Sequence, residues 1–262
     1  MFPRLVSIGS SFFLPTYGTL VALGFLVGLW ITVRLAKRAN LKPDPIVNLA
    51  IYTALSGLLG AKIAMLLFDF PTYWAHPGEI FTRETLQAAG VYQGGLILAL
   101  IVATWYIRSQ HLPWLTTFDV FAPGIAAGHA IGRLGCLAAG CCWGIPTHVP
   151  WAITFRNWQA EQLTGVPLGI PLHPTQIYES LSEAILFVIL LWRIRRPHAE
   201  GGIIGLYLIL YSICRFVIEF FRYHEQPTQL GLSLTQWMSI GLLLLGVWIL
   251  LNRSAKPAAA RA

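Results

Sequence analysis

The chain reads as an all-α, polytopic integral membrane protein with about seven transmembrane helices, N-terminus outside and C-terminus cytoplasmic. Three observations lead there. Only 11% of the 262 residues are charged and 56% are hydrophobic, whereas a soluble domain of this length carries roughly 25% charged residues. Apolar runs close to the ~20 residues that a spanning helix needs recur along the chain. The basic residues behind the formal net charge of +7 fall mainly in alternate short loops. That is a topology signal rather than a nucleic-acid footprint, since no basic run is interleaved with aromatics.

The spans follow in order. Phe12–Val33 is uncharged and closes at the turn Leu41–Pro45. Ile46–Phe68 is interrupted only by Lys62, and Val91–Ile107 is the third. Val120–Arg133, glycine-rich and holding Pro123, is expected to be short or broken. Ile177–Trp192, Ile203–Phe221 and Leu232–Leu251 complete the set. Met1–Ser11 holds one Arg and no small-residue cleavage site follows, so the first run is expected to stay as a helix rather than a signal peptide. Residues 1–262 then form a single transmembrane domain, without an internal repeat or a soluble domain. A loop region of about 134–175, rich in Gly, Pro and Trp, is expected to fold against the helix ends.

One side of this arrangement carries Arg34, Lys37, Arg38, Lys42, Arg108, Arg193, Arg195, Arg196, Arg253, Lys256 and Arg261; the other carries only Arg4, Arg83, Arg133, Arg156 and Arg222. The positive-inside rule therefore turns the Arg133 segment and its loop outward.

A cation at membrane depth is costly unless it meets an anion or lines a wet cavity. Arg133 lies among Gly132, Gly135, Gly140 and Gly144, so its guanidinium can fork onto phosphate oxygens where backbone approaches closely. The plainer alternative is a snorkelling side chain at a helix end. Arg215, Glu219 and Arg222 are spaced i, i+4, i+7 and share a helix face. They are either a structural ion cluster, or, with two cations against one anion, a site with positive charge to spare. His173, Gln176, Tyr178 and Glu179 crowd the start of the fifth span behind Pro174. A helix-entry pattern explains the proline but not that crowding. Gln93, Gly94 and Gly95 open the third span in the same way.

Taken in order, Gly132-Arg133-Leu134-Gly135 with Gly140 and Trp143-Gly144, the Gly94-Gly95 pair, His173–Glu179 and Arg215–Arg222 resemble the prolipoprotein diacylglyceryl transferases. Gly18, Gly60-Ala61 and Leu234-Thr235-Gln236 fit the same family. The resemblance implies a seven-helix enzyme of the bacterial inner (plasma) membrane with its site facing the periplasm or outer side. It implies transfer of a diacylglyceryl group from phosphatidylglycerol to the lipobox cysteine thiol of prolipoproteins, forming a thioether and releasing glycerol-1-phosphate. Phosphatidylglycerol, prolipoprotein signal peptides and membrane lipid are the implied partners, with no nucleic acid, metal or organic cofactor. By similarity Arg133 holds the phosphate, Arg215 stabilises its growing charge, and Glu219 and Arg222 orient the pair. Gly94, Gly95, Gln93, Gly144, His173, Gln176, Tyr178 and Glu179 are the other expected substrate-binding residues.

The chain departs from the family pattern at several positions. Gln93 stands where the family usually has His, Cys136 and Ala139 replace Asn, Cys141 replaces an acidic residue, and Lys62 replaces Arg. Glutamine cannot serve as a base for a thiol. His129, four residues before Arg133, is the candidate to take over, because histidine titrates near neutrality; a histidine merely packed between helices is the alternative. Cys136, Cys141 and Cys142 admit a disulfide, apolar packing, a metal site with His129, or a lipid-carrying thiol, and Cys214 reads as packing. Two rival functions stay open: a divergent paralogue with another acceptor, and a non-catalytic lipid-binding or redox-sensing protein built on the cysteines. A transporter is disfavoured by the lack of an inverted repeat, and a retinal protein by the lack of lysine in Leu232–Leu251.

Overall fold

A computed structural model describes residues 4–8, 12–82, 85, 90–223 and 228–252. Among these the architecture is helical: α1 Thr16–Arg38, α2 Pro43–Phe68, α3 Phe70–Ala75, α4 Tyr92–Ser109, α5 Trp114–Ala139, α6 Trp158–Thr164, α7 Thr175–Ile194, α8 Gly202–Glu219 and α9 Leu234–Asn252. A 3-10 turn covers Pro77–Phe81. Two small antiparallel ribbons accompany them, β1 Arg4–Ile8 with β2 Phe12–Pro15 and β3 Ile153–Thr154 with β4 Pro171–Leu172. By length and composition α1, α2, α5, α8 and α9 can cross a membrane. Arg83, Arg253, Lys256 and Arg261 of the charge count lie outside the described residues.

Three sequence expectations are corrected. The first helix begins at Thr16 rather than Phe12, because Phe12–Pro15 pairs as a strand and Pro15 offers no N–H to a helix. The fourth span is neither short nor broken: α5 runs unbroken for 26 residues through Pro123. Apolar surroundings leave the backbone no water to turn to, so one missing hydrogen bond is cheaper than opening the helix. The loop consequently starts at Gly140 instead of Leu134.

The chain divides into two units, residues 36–117 and residues 1–35 with 118–262. In the smaller, α2 and α4 cross at glycines. A Cβ on Gly60 would lie 2.5 Å from the Gly94 carbonyl oxygen, and one on Gly95 2.7 Å from that of Gly57. Small residues of this kind let backbones approach where no hydrophobic effect drives helices together. Val91 donates to the Ala61 carbonyl at 2.9 Å, and Lys62 Nζ donates to the Thr85 carbonyl at 2.6 Å.

In the larger unit, α1 and α5 pair through two G-x-x-x-G stretches, Gly24 and Gly28 against Gly124 and Gly128. A Cβ on Gly24 would stand 2.6 Å from the Gly128 oxygen. Gly24→Leu should therefore cost about 1–3 kcal/mol through overpacking, read as a lower denaturation midpoint in detergent. An unchanged midpoint would mean that this crossing does not exist.

Helices α5, α7 and α8 meet in an apolar core of Ala122, Ala126, Leu186, Leu190, Ile203, Ile204 and Tyr207. Asp119, 2% exposed, reaches from α5 to the start of α8. Its carboxylate accepts from the N–H groups of Gly201, Ile203 and Ile204 at 2.7, 3.0 and 2.8 Å. A carboxylate there satisfies donors that the helix itself cannot. The loop after α5 has its own small core of Phe155, Ala160, Val166 and Leu172 under Trp143. Ser233 and Gln236 form a reciprocal capping box, Gln236 Nα to Ser233 Oγ at 3.2 Å and Ser233 Nα to Gln236 Oε1 at 2.9 Å, which fixes the start of α9.

Candidate active site

Four elements of the larger unit bring their charged residues to one place. Helix α5 supplies His129 and Arg133 one turn apart. Helix α7 presents Gln176, Glu179, Ser180 and Glu183 as a buried face, and Ser180 Oγ ties it to α5 by donating to the Ala130 carbonyl at 2.8 Å. Helix α8 ends in Arg215 and Glu219, with Arg222 three residues past its last turn. Ser233, just ahead of α9, closes the group.

Glu179 is the hub. Its Oε2 meets Arg133 Nη2 at 2.5 Å, and its Oε1 faces Arg222 Nη1 at 3.6 Å and Arg215 Nη1 at 3.7 Å. Arg215 Nη1 also donates to Glu219 Oε2 at 2.7 Å, while Ser233 Oγ donates to Glu219 Oε1 at 3.0 Å. By its spacing Glu219 can pair with either arginine of its face; it pairs with Arg215, and Arg222 faces Glu179. Arg222 lies past α8, where Phe220, Phe221 and Arg222 donate to the third residue back rather than the fourth, so the α-helical i, i+7 relation no longer holds.

A second chain of contacts runs along α5. Glu183, 2% exposed, accepts from His129 Nδ1 at 2.9 Å, with the Tyr207 hydroxyl 3.5 Å from its other oxygen. Arg133 Nε donates to His129 Nε2 at 3.1 Å. Those two bonds together assign His129 the neutral, Nδ1-protonated tautomer. With a neutral imidazole, three guanidiniums balance Glu179, Glu183 and Glu219. That balance is what makes so many buried charges tolerable.

Other expected residues take different places. Gln176 is buried and donates to the Cys141 carbonyl at 2.7 Å. His173 Nδ1 lies 3.1 Å from the Tyr178 hydroxyl, and that hydroxyl accepts from Trp151 Nε1 at 2.7 Å; the Phe221 ring packs tilted against His173. Gly144 is threaded between two backbone segments, where a Cβ would fall 2.5 Å from the carbonyl oxygens of both His173 and Phe221. Its bridge to Arg222 carries that arginine toward Glu179. Gln93 is exposed at the start of α4, beside Gly94 and Gly95 of the α2 crossing.

Two members of the cluster were missed. Glu183 lies one turn beyond Glu179 at the head of the apolar run Ala184–Trp192, and an acid inside an expected span was itself a signal. Ser233 carried no signal beyond its capping pattern.

All four cysteines are free thiols. The sulfurs of Cys136, Cys141 and Cys142 lie within 4.8 Å of one another. His129 does not join them, since it faces Glu183 and Arg133. Hydrogen bonding with Cys136 and then Cys141 draws the Cys142 thiol well below its ordinary range, with Arg222 and Arg133 acting in the same direction. Contacts with Cys136 and Cys142 push the Cys141 thiol up.

A family model described as prolipoprotein diacylglyceryl transferase matches residues 3–252. A Clostridium tetani protein named phosphatidylglycerol–prolipoprotein diacylglyceryl transferase is 31% identical over 233 residues, covering 89% of this chain and 90% of its own length. A protein of that name from Nitratidesulfovibrio vulgaris is 33% identical over 264 residues, covering 97% and 94%. A third from Bordetella parapertussis is 33% identical over 246 residues, covering 89% and 90%. With a family match over nearly its whole length and relatives of one name above 30% identity, the chain belongs to the prolipoprotein diacylglyceryl transferase family.

Proposed function

We propose that this chain transfers a diacylglyceryl group from phosphatidylglycerol to the lipobox cysteine of a prolipoprotein. The observation that carries the reading is the convergence of Arg133, Arg215 and Arg222 on one buried carboxylate, Glu179. The thiolate sulfur attacks the diacylglyceryl carbon that bears the phosphate oxygen; a C–S bond forms there, that carbon's C–O bond breaks, and glycerol-1-phosphate leaves. The phosphate carries one negative charge as a diester and a second develops as the bond breaks. Cations held ready where that charge appears are the electrostatic contribution such a step needs. Arg133 grips the phosphate with its fork, Arg215 and Arg222 meet the developing charge, and Glu179 and Glu219 hold all three in place.

His129 takes the thiol proton. Glu183 holds its Nδ1–H and would stabilise the imidazolium. Proton uptake turns the balanced cluster positive by one charge as the leaving phosphate gains its second negative one. Since Arg133 Nε occupies the accepting nitrogen at rest, substrate binding must release it. His129→Ala should lower kcat by about 10²–10⁴-fold. His129→Gln keeps an acceptor for Arg133 but cannot carry the proton, so recovery of the rate in that variant would reduce His129 to a positioning role.

For topology the reading has seven spans, α4 and α7 joining the five, with the positive-inside count setting the N-terminus and the cluster outward in a bacterial inner membrane. The acids of α7 face protein, which lets a helix with Glu179 and Glu183 cross. A fluorescent protein fused to the C-terminus should light up in the cytoplasm, and a dark fusion that accumulates in the membrane would reverse the orientation. The central test is movement of labelled diacylglyceryl from phosphatidylglycerol to a lipobox peptide. Label that stays in lipid would leave the altered positions Gln93, Cys136, Ala139 and Cys141 as signs of another acceptor.

A further inference from the structure

We propose that Cys136, Cys141 and Cys142 form a three-coordinate site for a thiophilic d10 metal ion, Cu(I) before Zn(II). The site is built by a helix cap. Helix α5 ends in a Schellman motif: Cys141 Nα donates to the Cys136 carbonyl at 3.1 Å, Gly140 Nα to the Leu137 carbonyl at 3.3 Å, and Gly140 has φ +82°. That motif brings the side chain two residues past the helix end against the one three residues before it. An apolar contact usually fills this place; here it is a pair of thiols. Cys142 then adopts φ +61°, a left-handed conformation uncommon for a residue with a Cβ. It turns the third sulfur back onto the other two.

The arrangement is held from outside as well. Thr175 Oγ1 donates to the Cys142 carbonyl at 2.7 Å and Gln176 Nε2 to that of Cys141 at 2.7 Å. Both donors belong to the buried first turn of α7, so the loop carrying the thiols is fixed to the helix that carries Glu179. A trigonal ion with metal–sulfur bonds of about 2.3 Å places its sulfurs about 4 Å apart, and the observed spread within 4.8 Å needs only small side-chain rotation.

Two further features choose the ion. No His, Asp or Glu joins the three thiols among the described residues, which leaves a Zn(II) ion short of its usual fourth protein ligand. Soft thiolate sets select Cu(I), which is content with three. Three thiolates around a monovalent ion carry two negative charges, and Arg133 Nη1 lies 4.0 Å from Cys136 Sγ. Arg133 thus offsets part of that charge through one nitrogen while Glu179 holds the other. Loading displaces the remaining thiol protons to solvent and oxidises nothing.

Metal binding at this site is tested without the transfer reaction. The full chain, purified in detergent and reduced with a phosphine, is titrated anaerobically with Cu(I) held by a coloured competing chelator. One ion per chain should leave the chelator. Cys141→Ser/Cys142→Ser should bind at least tenfold more weakly, and Cys214→Ser should bind as the parent does. Cd(II) titration of the parent gives a second reading through its sulfur-to-metal charge-transfer band, so a misfolded variant does not remove the test. Uptake equal in parent and double variant, or no charge-transfer band in the parent, overturns the site. So does protein taken from cells under alkylation without reductant that has lost two of these three thiols to a disulfide.

Discussion

Arg133→Ala should reduce transfer to a lipobox peptide by about 10³-fold or more, the upper end of what one removed transition-state donor costs. Arg133 alone among the three arginines belongs to both contact chains, gripping Glu179 through Nη2 and His129 through Nε. Its loss therefore takes away a phosphate fork and unseats the proposed base together. Arg133→Lys keeps the charge and loses the planar fork, so it should recover no more than about tenfold of that loss. Arg133→Ala leaves Glu179 with Arg215 and Arg222 within 3.7 Å, and Arg133→Lys keeps the balance of charge as well, so the lysine variant is the one expected to hold the parent's midpoint. The decisive comparison is kcat against KM in protein of equal thermal midpoint. A variant that only raises KM would make Arg133 a binding handle; one that keeps both constants would remove the electrostatic mechanism altogether.

The cluster was half legible in the chain. Arg133 and the Arg215–Glu219 pair stand out because charges in apolar runs are rare, and helical spacing puts the latter two on one face. Spacing says nothing about which other helix supplies the counter-charge. Glu179 was therefore read as a substrate contact, although its observed neighbours are arginines, and Glu183 was missed. Pro123 shows the limit from the other side: a rule learned in water marks a break, but apolar surroundings hold the helix together. By sequence, Gly140 and Gly144 are places where backbone can approach a ligand closely. Here the first is a left-handed helix cap, and the second passes between two strands of backbone. Glycine marks close approach, and at Gly144 the approaching partner is backbone rather than ligand.

Glu179→Gln should be the most destabilising single change in the site, and its repair should separate stability from catalysis. Glu179 is 3% exposed and is the common partner of three guanidiniums. Neutralising it leaves Arg133 and Arg222 without that carboxylate, and breaking a buried ion group from one side costs about 3–5 kcal/mol. The amide keeps the shape and one acceptor, so the loss arises from charge rather than packing. The expected result is a sharply lowered unfolding midpoint in detergent, with transfer falling alongside it. Arg222→Gln in the same chain restores the balance of charge, and the double variant should regain much of the midpoint, a coupling that neither single change shows. Transfer should not return, because one of the three cations meeting the phosphate is still missing. Equal midpoints for the single and double variants would show that Arg222 and Glu179 are not energetically linked. Full transfer in the stabilised double variant would leave the cluster as a scaffold, with the chemistry elsewhere.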